Sequence, residues 1–382
     1  MKKALSVLLA VIICLSCCTM AMAKESATLK FDSNGEFKIL HLCDCQDTYP
    51  AKTAMMQYIS YMLDTYKPDL VILGGDNTIG PKETKEQAIE ELVKPFVERK
   101  IYFTLVFGNH DREQGYTNDE LLVMYQKYGK GYCLAYDDVP ELSGSANHAL
   151  SIYGKNNKVA YNLYMLDSGT GSFINEAGVK GYEGVYADQV EWFEKTNEAA
   201  IKLNGGKYIP SMVFQHIIVG AVMDALYMEK KDFPLSVFSE YSNGKEYDVA
   251  VAKLGAIEKG GMYFEVPSPG VEDFGEFDAM VRQGVVATFA GHDHVNSFTI
   301  HHEGVDIVNT PGATVQAYGN DLVRGSRIIT LYEGKTEYGS EVITYSEEIL
   351  KGADIDYSGF KSFFGVVFNR LIGGFISLFN LF

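Results

Sequence analysis

This 382-residue chain lacks a surplus of positive charge: 33 Lys and Arg stand against 50 Asp and Glu, a formal charge of −17. Such a surface repels a nucleic-acid backbone, which excludes sequence-independent binding along an extended nucleic acid. A locally cationic centre still attracts a small phosphate ester. A disulfide framework is missing too. Of the six cysteines, Cys14, Cys17 and Cys18 fall in an N-terminal apolar segment, which leaves Cys43, Cys45 and Cys133. Cys43 and Cys45 are two apart on one strand and share a face, a poor arrangement for bridging each other. They read as small buried residues rather than as a soft-metal site. Internal repeats and low-complexity tracts are absent. With 47% hydrophobic and 22% charged residues, the chain is globular and able to bury one large core or two modest ones.

The two ends differ from the rest. Lys2 and Lys3 precede the apolar stretch Ala4–Leu15, and Ala21-Met22-Ala23 supplies small residues for cleavage, so residues 1–23 are predicted to be a secretory signal peptide. Export to a periplasmic, extracellular or cell-surface location is expected. An uncleaved anchor is the competing reading, although the stretch is short against the about 20 residues of a membrane span. A lipoprotein at Cys17 or Cys18 is a further one, but Cys14-Leu15-Ser16 is a poor lipobox. At the other end, residues 359–382 are dominated by Phe, Leu, Ile and Val. That apolar C-terminal segment is either a membrane-interface or anchoring helix, giving a membrane-surface contact, or a helix packed on the body or on a partner subunit.

Between them, residues 24–358 read as one domain with an alternating α/β layout. Helical spacing covers Ala51–Tyr66, Lys85–Arg99 with a break or kink at Pro95, Asn118–Tyr128, Asp188–Leu203 and Phe277–Gln283. Strands are predicted at Lys38–Cys43, Leu70–Gly74, Tyr102–Phe107, Lys158–Leu166, Lys207–Phe214, Val285–Ala290, Val305–Asn309 and Arg327–Tyr332. The stretch from Ile217 to Gly275 is irregular and reads as long loops.

Four of these apolar runs end in polar clusters: Cys43-Asp44-Cys45-Gln46, Gly75-Asp76-Asn77, Gly108-Asn109-His110-Asp111 and Gly291-His292-Asp293-His294. A single Asp after a strand is most often a cap or turn residue. The joint occurrence of all four clusters points instead to loops at one sheet edge holding two cations. Carboxylate, imidazole and amide oxygen suit divalent ions of moderate hardness, and a bridging carboxylate, here Asp76, places two of them about 3.5–4 Å apart. His216, at the end of Val213-Phe214-Gln215-His216, is on its own more often a hydrogen-bonded strand-end histidine; beside the other clusters it reads as a ligand.

In this order the motifs resemble the calcineurin-like metallophosphoesterase superfamily. Leu166-Asp167-Ser168-Gly169, Asp188-Gln189-Val190-Glu191-Trp192, and Tyr318-Gly319 with Arg324-Gly325-Ser326-Arg327 are similar to its small purple-acid-phosphatase-like branch. The resemblance implies a double β-sheet sandwich flanked by helices, a four-layer αββα fold. It also implies two divalent ions (Mn, Fe, Zn, Mg or Ca). Asp44, Gln46, Asp76 and His294 would hold the first, and Asp76, Asn109, His216 and His292 the second. His110 would lie outside the metal shell as proton donor or charge stabiliser at the leaving oxygen, with Asp111 orienting its imidazole. The reaction implied is hydrolysis of phosphate mono- or diesters by in-line attack of a metal-activated water.

Two positions depart from the family pattern. The first motif normally ends in His, whereas Gln46 offers a weaker neutral amide oxygen, which weakens the first site or shifts it toward harder ions. Asp47 either compensates or enters the next helix as a turn residue. Purple acid phosphatases carry a Tyr three residues after the bridging Asp; here it is Ile79, so no tyrosinate–iron absorption is expected. A weakened first site leaves open a phosphatase-like protein that holds a phosphorylated ligand without turnover, or a surface interaction protein with an inherited fold. Tyr182, Tyr186 and Tyr318 read as packing residues more than as stacking platforms. His148, His301 and His302 read as surface residues.

Overall fold

The computed structural model describes residues 28–232, 238–258 and 260–357. The expected signal peptide, 1–23, and the apolar segment, 359–382, lie outside the described residues. Two sheets form the centre. The five-stranded one runs in the order Tyr338–Thr344, Gly325–Tyr332, Glu36–Leu42, Leu70–Gly74, Tyr102–Val106, with the last three mutually parallel. The seven-stranded one runs Leu29–Lys30, His148–Tyr153, Val159–Met165, Ser211–Phe214, Ala287–Ala290, Val305–Asn309, Thr299–His302, with four consecutive parallel strands from Val159–Met165 to Val305–Asn309.

Side chains alternate across a strand, and here both faces are apolar, so each sheet is covered twice. Ile39, Leu70, Ile72 and Val106 of one sheet meet Leu163, Met212, Phe214, Phe289 and Val308 of the other in a single core. The opposite face of the smaller sheet, with Leu40, Val71, Leu73 and Leu105, packs on helices Thr53–Tyr66, Lys85–Glu98 and Asn118–Tyr128. The outer face of the larger sheet, with Tyr164, Val213 and Ile307, packs on helices Ala187–Leu203, Ala221–Leu226 and Glu276–Gln283. The layers are therefore αββα, and the parallel strands of both sheets end at one edge.

Three expectations change. Helix Lys85–Glu98 continues through Pro95, which is buried within it, so the proline does not end the helix. The stretch after Ile217 is not all loop: it contains helix Ala221–Leu226 and a three-stranded antiparallel sheet of Met228–Glu229, Ser239–Ser242 and Lys245–Asp248. His148 is not on the surface but wholly buried, with its ring nitrogens on Thr104 Oγ1 at 2.6 Å and the Ala146 carbonyl at 2.6 Å. Among the described residues, no helix is long and apolar enough to cross a membrane.

Candidate metal centre

Three strands that stop at the common edge, Glu36–Leu42, Leu70–Gly74 and Ala287–Ala290, lead into sharp turns made in part by residues with side chains. Asp44, Gln46, Asp76 and His292 have φ of 51°, 38°, 50° and 68°, a left-handed backbone that non-glycine residues avoid. Such strain clusters at functional sites, where surrounding contacts over-determine the backbone. Two glycines make the close approach of these turns possible. Gly75, at φ 91°, faces the His216 ring, and a Cβ there would overlap it. A Cβ on Gly108 would overlap the Asp76 carboxylate.

Asp76, His216 and His292 present ligand atoms within 4.8 Å of one another, as do Asp44, Asp76 and His294. Asp76 is common to both groups. His216 Nε2 lies 3.3 Å from Asp76 Oδ2 and 3.8 Å from Asp44 Oδ1, and His294 Nε2 lies 3.3 Å from Asp44 Oδ1. The far ring nitrogens are tied down. Nδ1 of His216 donates to the Gly74 carbonyl at 2.9 Å and Nδ1 of His294 to the Tyr318 carbonyl at 2.9 Å. A carbonyl can only accept, so in both rings Nε2 is the atom turned to the carboxylates.

A divalent cation fits this arrangement. Asp44 Oδ1, Asn109 Oδ1 and His216 Nε2 are buried without a hydrogen-bond partner, although burying a polar atom unpaired is costly. Charge points the same way. Burial works against a proton on His216, yet the carboxylates of Asp76 and Asp44 raise its pKa to about 10. Burial pushes the Asp76 carboxyl up, but His216 and His110 outweigh it and hold the group below the ordinary carboxylate range. His292 is pressed down to about 3 by burial and then by His216. The cluster accommodates positive charge between Asp44 and Asp76.

A model of the calcineurin-like phosphoesterase family matches residues 37–296. The chain belongs to that family. Its relatives include proteins named as phosphatases. A probable inactive purple acid phosphatase of Arabidopsis thaliana, number 29, is 26% identical over 361 residues, covering 85% of this chain and 84% of that protein. Phosphatase DCR2 of Saccharomyces cerevisiae is 26% identical over 313 residues, covering 76% of this chain and 49% of the yeast protein. The solved structure of purple acid phosphatase PPD1 from yellow lupin (Lupinus luteus) overlays with a TM-score of 0.43 at 11% identity, covering 82% of this chain and 53% of that one.

Within this calcineurin-like phosphoesterase Asp44, Asp76, His216, His292 and His294 bring their ligand atoms together, and the other predicted residues have distinct placements. Gln46, where the family pattern has His, is buried and donates Nε2–H to Asp76 Oδ2 at 2.8 Å, so its amide braces the shared carboxylate. Asp47 accepts from the backbone N–H of Thr48 at 2.8 Å and of Lys52 at 2.6 Å, the turn role that leads into helix Thr53–Tyr66. Cys43 and Cys45 are buried free thiols. Asp44 breaks the strand alternation between them, so Cys45 joins the helix-side core while Cys43 Sγ sits 3.3 Å from His41 Nε2.

Asp111 does not orient His110. Its carboxylate is buried and accepts backbone N–H from Gly108 at 2.9 Å, Asn77 at 3.0 Å and Thr78 at 3.3 Å, tying the Asp76 loop to the Asn109 loop. A carboxylate so committed to backbone groups makes no hydrogen bond to the neighbouring imidazole. Burial, opposed by Lys85, raises the Asp111 pKa to about 6. His110 instead pairs through Nδ1 with Glu113 Oε1 at 2.8 Å, while its backbone N–H donates to Asp76 Oδ1 at 2.7 Å.

Other contributors had no ligand or positioning role assigned from the sequence, although Ser168 and Tyr318 lie in segments that carry the family resemblance. Tyr318 stacks on the His294 ring at 4.1 Å, and Tyr182 meets His292 edge-on at 4.4 Å. Ser168 Oγ accepts the backbone N–H of His216 at 3.2 Å and of Ile217 at 2.8 Å, holding the strand end that carries His216. Tyr186 packs on Phe274 instead. His301 is exposed as expected, paired with Asp306 at 2.8 Å.

Proposed function

We propose that this chain is a metal-dependent phosphoric ester hydrolase acting on small phosphate mono- or diesters. The observation that carries this reading is the pair of three-residue ligand groups sharing Asp76, with buried donor atoms around them left without hydrogen bonds. In this reading Asp44, Gln46, Asp76 and His294 hold one divalent ion, and Asp76, Asn109, His216 and His292 the other. When bound, the pair supplies Lewis acidity that neutralises phosphoryl oxygens and acidifies a water for in-line attack. The protein's own residues do the rest. Asp76 would serve both ions, and the Gly74 and Tyr318 carbonyls hold His216 and His294 with Nε2 toward the carboxylates. His110 Nε2 lies 4.0 Å from Asp76 Oδ2, and in this reading His110 gives a proton to the leaving oxygen.

Hydrolysis of p-nitrophenyl phosphate and bis-p-nitrophenyl phosphate with added Mn²⁺ tests this. Asp76→Asn is expected to lose both metal content and activity, the latter by about 100-fold or more. Background rates from the unaltered protein on both esters would favour a second reading, a binding protein that holds a phosphorylated ligand. The hydrogen bond from Gln46 to Asp76 supports that alternative, because it occupies one oxygen of the shared carboxylate. We also propose export through residues 1–23 and contact of residues 359–382 with a membrane surface, both on the sequence pattern alone.

A further inference from the structure

We propose that Glu113 is the positioning residue for His110, a role that rests on the hydrolase reading and that sequence order had assigned to Asp111. The turn after strand Tyr102–Val106 brings residues 110 and 113 together: the Glu113 backbone N–H donates to the His110 carbonyl at 3.3 Å. Across that turn the Glu113 carboxylate takes the Nδ1 hydrogen of His110 at 2.8 Å. The imidazole is thereby held between two carboxylates, with Nδ1 toward Glu113 and Nε2 facing Asp76 Oδ2 at 4.0 Å. A carboxylate on Nδ1 fixes both the tautomer and the ring direction, leaving Nε2 to the reacting side.

Glu113 and His110 are each about half exposed, their side chains at 53% and 41%, and an exposed pair of this kind contributes little to stability. Yet the backbone around Glu113 is fastened more firmly than an exposed pair requires. Lys85, itself buried, donates to Gln114 Oε1 at 3.2 Å and to the Thr78 carbonyl at 2.6 Å, joining the segment after Glu113 to the loop after Asp76. Lys82 donates to the Gly115 carbonyl at 2.9 Å. The carboxylate is presented from a fixed turn, and what it presents to is the ring beside the metal ligands.

The test combines turnover with a spectrum. With metal loaded, Glu113→Gln is expected to lower kcat on phenyl phosphate, a poor leaving group, by about 10-fold, with KM within about two-fold and metal content unchanged. The effect on p-nitrophenyl phosphate should be smaller, Glu113→Asp should recover part of the loss, and His110→Ala/Glu113→Gln should be no slower than His110→Ala. Long-range ¹H–¹⁵N spectra of the Mg²⁺-loaded protein should show His110 protonated at Nδ1, and Glu113→Gln should disturb that signal. An unchanged His110 spectrum in Glu113→Gln, or equal losses on both esters, overturns the proposal. A wild-type protein without turnover would remove the hydrolase reading, and the spectrum alone would then decide whether Glu113 sets the His110 ring.

Discussion

Glu276 is a carboxylate held where water does not reach it: it is buried, and its Oε1 has no hydrogen-bond partner. Burial, reinforced by Asp273, raises its pKa from 4.5 to about 8. A folded-state pKa above the unfolded one means that the native state binds the proton more tightly. The stabilisation is complete below the unfolded value and fades as pH climbs through the folded one. Denaturation by urea at about pH 5 and about pH 8 should show the wild type losing stability over that interval, and Glu276→Gln should flatten this part of the profile. At this scale the sequence was legible where a residue sat next to its strand. Asp44, Asp76, His216, His292 and His294 stand just after apolar runs, so the meeting of their ligand atoms was readable. The partners that orient them were not. Glu113 reaches His110 only through a turn, and Tyr318 reaches His294 across 24 residues of chain. His148 was misread because its burial depends on Thr104, a residue of the other sheet that no local pattern reveals.

The elements that carry the site are short strands feeding tight turns, and the turns tolerate no extra atoms. Gly108 is the sharpest case, since an added methyl would collide with both the backbone nitrogen and the carboxylate of Asp76. Gly108→Ala should therefore destabilise the fold by about 1–3 kcal/mol, as overpacking does, and should also reduce bound metal. Thermal denaturation and elemental analysis check the two effects separately. Leu70–Gly74 was predicted to the residue because a strand buried on both faces is continuously apolar; Val305–Asn309 was also predicted to the residue, with Asp306 the one partly exposed position between apolar neighbours. Lys207–Phe214 was predicted too long: the strand begins at Ser211, after Pro210, which has no N–H for the ladder. Tyr338–Thr344 escaped notice because it is the edge strand of its sheet, and Tyr338, Gly339, Ser340 and Glu341 mix polar with apolar in a way that resembles loop.

The whole molecule sets the site at one rim of two packed sheets, far more acidic than basic in total yet with its cation-seeking cluster enclosed. The four layers followed from the motif resemblance more than from strand counting, since His148–Tyr153 and Thr299–His302 were not foreseen. Deleting residues 359–382 is expected to move the protein from the membrane pellet to the supernatant while leaving hydrolysis intact; unchanged partitioning would take that segment out of any anchoring role. One consequence of the shared Asp76 reaches beyond geometry. On the proposed reading, a single carboxylate common to both ligand groups would keep the two halves from filling as strangers, because the residue that receives one ion would be the residue the other needs. Loading would then be a joint event, and half-filled protein a different chemical object from the average of empty and full.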